Sequence, residues 1–231
     1  MAQTPGDRSH GTATATRPPI SPDLAILVLV LIWGANFSVV KFALEQFRPL
    51  AFNALRFVLA SAVLLAVLRP SRMTFRLEPG DLRKFVGLGL LGNVVYQLMF
   101  IFGVHWTLAG NAALMLATVP IFVSLFSTLL GHERIAPAGW LGVALSVGGI
   151  ALVVWGGTRA VQIGQETVRG DLTMLGAAVA WSAYTVGAAP LVKRYGPLRT
   201  TAGTMWIGTV VLVAISLPSL LAQNWAIVSS G

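Results

Sequence analysis

Aromatic and polar side chains recur at helical spacing within the apolar segment 24–44. Trp33, Phe37 and Lys41 are four residues apart and share one helix face, with Asn36 beside them. A Trp at the centre of an apolar run is not explained by the aromatic belts of membrane helices, which lie at the two water boundaries. The spacing predicts a face that contacts a solute through its rings or, as the alternative, an ordinary packed core.

Arg56 lies seven residues into the apolar segment 49–68. At a rise of 1.5 Å per residue it would lie about 10 Å inside a bilayer, where an unpaired cation costs at least a few kcal/mol. No acidic residue falls in the interior of an apolar segment to neutralise it, so we expect an anionic group of a substrate, a carboxylate or phosphate, as its partner. Lys41 is a second candidate cation, although Glu45 offers it a local partner and its side chain can snorkel to the interface.

The apolar segment 83–105 carries Asn93, Tyr96 and Gln97 on one face, which we expect to point away from lipid. Asn and Gln commonly form hydrogen bonds between spans, so Tyr96 is the better pathway candidate.

Pro120, in the middle of segment 109–130, cannot donate a backbone hydrogen bond and predicts a kink that acts either as a hinge or as fixed shape. Glu133 is a candidate cytoplasmic site, where the simplest expectation is an ion pair with a neighbouring residue.

Membrane-spanning helices are needed to position these side chains. Of the 231 residues, 55% are hydrophobic and 10% are charged, and the mean hydropathy is +0.77, which indicates a chain dissolved in lipid. We expect a disordered cytoplasmic tail at 1–22. Seven apolar segments near spanning length follow it, at 24–44, 49–68, 83–105, 109–130, 138–154, 171–192 and 200–219, and they predict an all-α integral membrane protein.

The basic residues predict how the chain crosses the membrane. Eleven Lys and Arg fall on one set of alternating connections and four on the other, which places the N-terminus in the cytoplasm. We expect a multi-pass protein of the cell inner membrane. The formal charge of +8 comes from these short breaks and does not indicate a nucleic-acid partner. The sequence has no cysteine and no catalytic, metal-binding or nucleotide-binding motif, so we expect neither an enzyme nor a cofactor.

An internal repeat relates the two ends of the chain. At an offset of 148 residues, 12 of the 48 positions from Asp23 onward are identical, including Trp33 with Trp181 and Pro49 with Pro197. Trp181 and Tyr184 then fall on the face that matches Trp33 and Phe37. Because one copy of the repeat has five helices, an odd number, the second copy enters the membrane from the opposite side. Such inverted repeats are typical of carriers that work by alternating access.

Several motifs resemble the EamA-type proteins of the drug/metabolite transporter superfamily. They are Trp33-Gly34-Ala35-Asn36-Phe37, Ala54-Leu55-Arg56-Phe57, Val119-Pro120-Ile121-Phe122 and Gly131-His132-Glu133-Arg134. The resemblance implies ten helices in two repeats and a carrier, often an exporter, of small metabolites such as amino acids. We therefore expect a first repeat at 23–155 and an incomplete second repeat at 171–231.

Two functional hypotheses remain open at this point. A complete second repeat would extend to about residue 318, so some three helices of the expected ten are absent from these 231 residues. The chain is then either a small-molecule carrier or a truncated, non-transporting fragment or assembly partner of one. Association into a homodimer is a possible way to complete the fold.

Overall fold

The computed structural model describes residues 21–68, 77–131, 136–155 and 167–225, and these are almost entirely helical. The predicted tail at 1–22 lies largely outside the described residues, and Glu133 lies outside them as well. The helices are α1 (Pro22–Ala43), α2 (Pro49–Leu68), α3 (Asp81–Leu90), α4 (Tyr96–Trp106), α5 (Ala109–Leu116), α6 (Val119–Leu129), α7 (Pro137–Trp155), α8 (Val168–Tyr195) and α9 (Pro197–Leu221). Four of them begin at a proline, which suits the first turn because its N–H would have no partner there.

The helices follow the seven predicted segments. Six helical stretches among the described residues are long and apolar enough to cross a membrane, and Ala138–Gly149 in α7 is a shorter apolar stretch. This result confirms the predicted all-α membrane protein. The structure falls into two compact units, residues 1–35 and 36–231. In the described part of the first unit, apolar side chains such as Leu31 and Ile32 are exposed, at 64% and 61%.

Within the second unit, α8 lies among several other helices. It packs along α4, α5 and α6, while α9 packs against α2 and α3. Small residues allow the closest approaches: a Cβ at Gly92 would overlap the Tyr184 ring, and one at Gly103 would lie 2.6 Å from the Met174 side chain. The fully buried side chains here include Ile101 and Met174.

The third predicted span is a single rod with an irregular middle. A π-helical turn, Leu91–Val95, joins α3 to α4 without a break. Such turns insert one extra residue into a helix and change the direction of the side chains beyond it. Here the turn sets the direction of Tyr96, the first residue of α4.

The fourth predicted span is interrupted close to Pro120. Helix α5 ends at Leu116 and α6 starts at Val119, so the interruption falls at Ala117 and Thr118. Pro120 is the second residue of α6, where its missing N–H costs nothing. The predicted irregularity is therefore present in the turn between Leu116 and Pro120, where the proline removes a backbone hydrogen bond.

Candidate functional site

Five aromatic residues from three spans form a continuous chain of ring contacts, which we call the aromatic cluster: Phe37, Tyr96, Phe100, Trp181 and Tyr184. The Tyr96 and Trp181 ring centroids are 4.8 Å apart, and those of Trp181 and Tyr184 are 5.2 Å apart. Phe100 lies 5.9 Å from both Tyr96 and Phe37. Four of the predicted pathway residues are thus brought together, and ring faces of this kind bind apolar and cationic groups.

Lys41 has a different environment from the one expected. Its ammonium donates to the carbonyl oxygens of Val104, His105 and Thr107 at 2.9, 3.0 and 2.6 Å. An ammonium has three donors, so all of them are used. These carbonyls belong to the C-terminal end of α4, where a cation also interacts favourably with the helix dipole. The structure therefore gives Lys41 a capping role rather than a free charge in a pathway.

Arg56 lies beside the aromatic cluster. Its guanidinium carbon is 5.9 Å from the centroid of the Phe100 ring and 5.7 Å from that of Phe52. The buried Nη1 atom has no hydrogen-bond partner among the described residues. Ring faces offset part of the cost of burying a cation, but they leave its N–H groups without acceptors. Arg56 can therefore receive an oxygen-bearing group.

Unpaired amides lie on α2 and on the span formed by α3 and α4, which also carry Arg56 and Phe100. Asn53 is fully buried, and neither its nitrogen nor its oxygen has a hydrogen-bond partner among the described residues. The Asn93 nitrogen and the Gln97 oxygen are also buried and unpaired. A buried amide without a partner costs about 1–3 kcal/mol, so each of these groups calls for a polar ligand or water. Sequence reasoning assigned Asn93 and Gln97 to helix packing and missed Asn53.

A buried carboxylate secures one end of α8. Asp171 accepts hydrogen bonds from the Thr107 hydroxyl at 2.5 Å and from the Asn111 amide at 3.0 and 3.2 Å. Gly170 makes this approach possible, since a Cβ there would lie 2.6 Å from the backbone of Trp106. The start of α8 is therefore held against the connection between α4 and α5.

A second carboxylate secures the other end of α8. Asp81 accepts hydrogen bonds from Lys84, Arg194 and Tyr195 at 2.9, 2.8 and 2.8 Å. Arg194 also pairs with Glu78. The end of α8 is therefore tied to the start of α3. Each of these two carboxylates, which we call the end braces, joins α8 to the span formed by α3 and α4.

Helices α2 and α9 run antiparallel. The start of α2 lies at the end of α9, where the Arg48 amide donates to the Gln223 side chain at 2.9 Å. Near their middle, the Ser61 and Thr209 hydroxyl oxygens are 2.7 Å apart. These two residues are separated by 148 positions, which is the offset of the internal repeat. Residues that correspond in the two copies thus contact each other directly.

A cavity of about 410 Å³ opens between α6 and α8. Its lining includes Ser127 and Val123 from α6, and Thr185 and Lys193 from α8. At the start of α6, the Ser182 hydroxyl donates to the Val119 carbonyl at 3.2 Å. This cavity lies one turn along α8 from Trp181.

Two further predicted pathway residues lie on α1. Trp33 lies in the first unit and is 51% exposed. Asn36 is half-buried, at the start of the second unit. The end braces and Phe100 were missed at the sequence level. An aspartate that begins both copies of the repeat, Asp23 and Asp171, was the only available signal for a brace, while Phe100 carries no signal that separates it from ordinary core residues.

Comparison with known proteins gives consistent results. A sequence model of the EamA-like transporter family matches residues 20–155. An uncharacterized transporter, YyaM, from Bacillus subtilis is 29% identical over 84% of this chain and 64% of its own length. A probable terminal-alkyne amino-acid exporter from Streptantibioticus cattleyicolor is 27% identical over 85% of this chain and 64% of its length.

Similarity extends to an inner-membrane protein and to a solved structure. The uncharacterized inner membrane transporter YedA of Escherichia coli is 26% identical over 82% of this chain and 60% of its own length. A crystal structure with 24% identity matches 81% of this chain and 67% of the solved chain with a TM-score of 0.58, which supports the fold. The chain thus spans roughly two thirds of the length of such relatives. The relatives are named as transporters, which agrees with the expectation that this protein is not an enzyme.

Proposed function

Because the chain belongs to the EamA-like transporter family, we propose that it acts as a secondary carrier that moves a small metabolite, such as an amino acid, across the membrane. The aromatic cluster is the observation that carries this proposal. It joins Phe37, Tyr96 and Phe100 from the first copy of the repeat to Trp181 and Tyr184 from the second. A solute bound there would contact both copies, as alternating access requires.

We propose that the copies are inverted repeats, 23–155 and 171–231, the second one incomplete. A two-fold axis in the membrane plane makes equivalent helices antiparallel, and where two equivalent helices cross at the axis, equivalent residues must meet. The contact between Ser61 and Thr209 meets this requirement and supports the proposal. In such a carrier, the cavity between α6 and α8 serves as a vestibule that leads to Trp181.

We propose that the transported molecule carries an anionic group, which Arg56 receives. The unpaired, buried Nη1 of Arg56 supports this assignment. Lys41 takes no part, because its three donors are already bound to carbonyl oxygens. The distribution of basic residues favours a cytoplasmic N-terminus. The name of the Escherichia coli relative favours the inner membrane, and that of the Streptantibioticus cattleyicolor relative favours export.

The test is transport by the purified protein in proteoliposomes, with a mixture of radiolabelled amino acids as the probe. We expect Trp181→Ala to lower the initial rate by about tenfold, because it removes a ring face worth roughly 1.5 kcal/mol. Trp140→Ala is the matched control, since Trp140 lies on α7 and is 46% exposed. Equal rates for both variants would contradict a pathway through the aromatic cluster.

A second candidate is an assembly partner that transports only together with other polypeptides. The same proteoliposomes separate the two candidates. Saturable uptake by this chain alone supports a carrier, whereas uptake that appears only after a longer relative is added supports the assembly partner.

A further inference from the structure

Tyr184 of the aromatic cluster is held from two sides by residues outside that cluster. Its ring lies against Gly92 in the π-helical turn of the third span, where a Cβ would overlap the ring. Its hydroxyl oxygen is 3.1 Å from the hydroxyl oxygen of Thr204 on α9. The position of the ring therefore depends on a glycine of one neighbouring helix, and the direction of the hydroxyl depends on a threonine of another.

Thr204 has other hydrogen-bond partners on its own helix, and they fix which of the two hydroxyls donates to the other. The Thr204 side chain is fully buried. Its hydroxyl oxygen lies 3.0 Å from the carbonyl oxygen of Thr200 and 3.2 Å from that of Thr201. A threonine hydroxyl has one proton, and a carbonyl oxygen can only accept it. The proton of Thr204 is therefore directed to its own helix, so Tyr184 is the donor in the bond between the two hydroxyls.

Tyr184 then offers a solute only the acceptor side of its oxygen. Its side chain is half-buried, in contrast to that of Thr204, so part of it remains accessible. The Trp181 ring, whose centroid is 5.2 Å from that of Tyr184, supplies a second π face beside it. Ring faces attract cations, and an acceptor oxygen needs an N–H or O–H donor. An ammonium group meets both conditions, whereas a neutral hydroxyl meets only the second.

We infer that Thr204 is a positioning residue that sets Tyr184 as an acceptor, so that this part of the aromatic cluster selects solutes with an amino group. The inference rests on the proposed carrier function, and it names a second group of the transported molecule besides the anionic group that Arg56 receives. The repeat supports the assignment, because Thr204 corresponds to Arg56 at the offset of 148 residues. In an inverted repeat, a solute between such equivalent positions meets a cationic donor from one copy and, through Tyr184, an acceptor from the other.

Infrared spectroscopy of the purified protein tests the direction of the hydrogen bond without a solute. The C–O stretching band of tyrosine differs between a phenol that donates and one that accepts. The chain has three tyrosines, so the difference spectrum against Tyr184→Phe isolates Tyr184. We expect a donor band that is lost in Thr204→Val. Thr200→Val is the matched control, because Thr200 is also buried on α9 and its hydroxyl donates to the Gly196 carbonyl at 2.9 Å.

Calorimetric binding of leucine and of isocaproate, which is leucine without its amino group, tests the selectivity. We expect leucine to bind about tenfold more tightly, as for one hydrogen bond to a charged group. Thr204→Val and Tyr184→Phe should each lose this preference, and the double variant should lose no more than either one, because both act through the same hydrogen bond. Thr200→Val should keep the preference.

Three results would overturn the inference: an acceptor band for Tyr184, equal affinity of the unmodified protein for the two compounds, or an undiminished preference for leucine in Thr204→Val. Binding is measured without transport, so the two proposals fail separately. A preference for the amine without transport contradicts only the carrier function, and transport without this preference contradicts only the role of Thr204 and Tyr184.

Discussion

At the scale of single residues, the partners of the two cations in the spans differ most from expectation. From the sequence, Lys41 and Arg56 were both candidates for an anion site, because both lie in apolar segments. Their difference depends on distant residues: Lys41 meets carbonyl oxygens more than sixty positions away, whereas Arg56, besides Phe52 one turn back on its own helix, meets the ring of Phe100 on α4. Spacing within one helix cannot predict contacts of this kind.

We predict that Lys41→Met destabilises the protein by about 2 kcal/mol. Three hydrogen bonds donated by a charged group are lost, and their combined contribution to the free energy of unfolding is reduced because Lys41 is only half-buried. The measurement is equilibrium unfolding in mixed detergent micelles, with Lys193→Met as the control because that side chain is exposed. Unchanged stability together with a raised KM for transport would show instead that Lys41 binds the solute.

At the scale of elements, the number and type of helices could be predicted from the sequence. The interruptions within the helices could be predicted only in part. Seven apolar segments sufficed to identify seven helical stretches, because spanning length is fixed by the bilayer. The π-turn at Leu91–Val95 had no sequence signal, since it reflects packing against α8 and α9. Pro120 marked the interruption of its span, but the turn at Ala117 and Thr118 depends on local hydrogen bonds such as that from the Thr118 hydroxyl to the Met115 carbonyl.

Glycines that look alike in the sequence have different neighbours in the structure. A Cβ at Gly208 on α9 would overlap Asn93 and lie 3.1 Å from the Gly89 carbonyl oxygen, whereas a Cβ at Gly87 would have no atom within 4 Å. We predict that Gly208→Ala destabilises the protein by about 1–3 kcal/mol through overpacking. Gly87→Ala should be neutral or stabilising by up to about 1 kcal/mol, because alanine favours helices. Unfolding of both variants in the same micelles is the check, and equal stabilities would show that the α3–α9 contact is looser than described.

At the scale of the whole molecule, the antiparallel crossing of α2 and α9 gives the sharpest test of the repeat. The offset of 148 residues was visible in the sequence, but the direct contact between Ser61 and Thr209 was not, because a repeat does not reveal which equivalent helices touch. Pairs of equivalent residues can meet only near a symmetry axis. A movement of one copy relative to the other displaces such residues least.

We predict that the double variant Ser61→Cys with Thr209→Cys forms a disulfide on mild oxidation and still transports at about the rate of the reduced protein. The hydroxyl oxygens are 2.7 Å apart, and the sequence offers no competing thiol. Cross-linking is read from gel mobility and transport from proteoliposomes. Complete loss of transport on oxidation, reversed by a reductant, would place a moving contact at this crossing and contradict the axis.

The end braces also bear on how the protein fits membranes of different thickness. Helix α8 has 28 residues, or about 42 Å, so its charged end residues extend beyond a hydrocarbon core of about 30 Å. A free helix of this length would adjust to the surrounding lipid by changing its tilt. Because Asp171 and Asp81 hold its two ends to the same neighbouring span, the tilt of α8 is set within the protein. Hydrophobic mismatch must then be relieved by deformation of the bilayer around the protein.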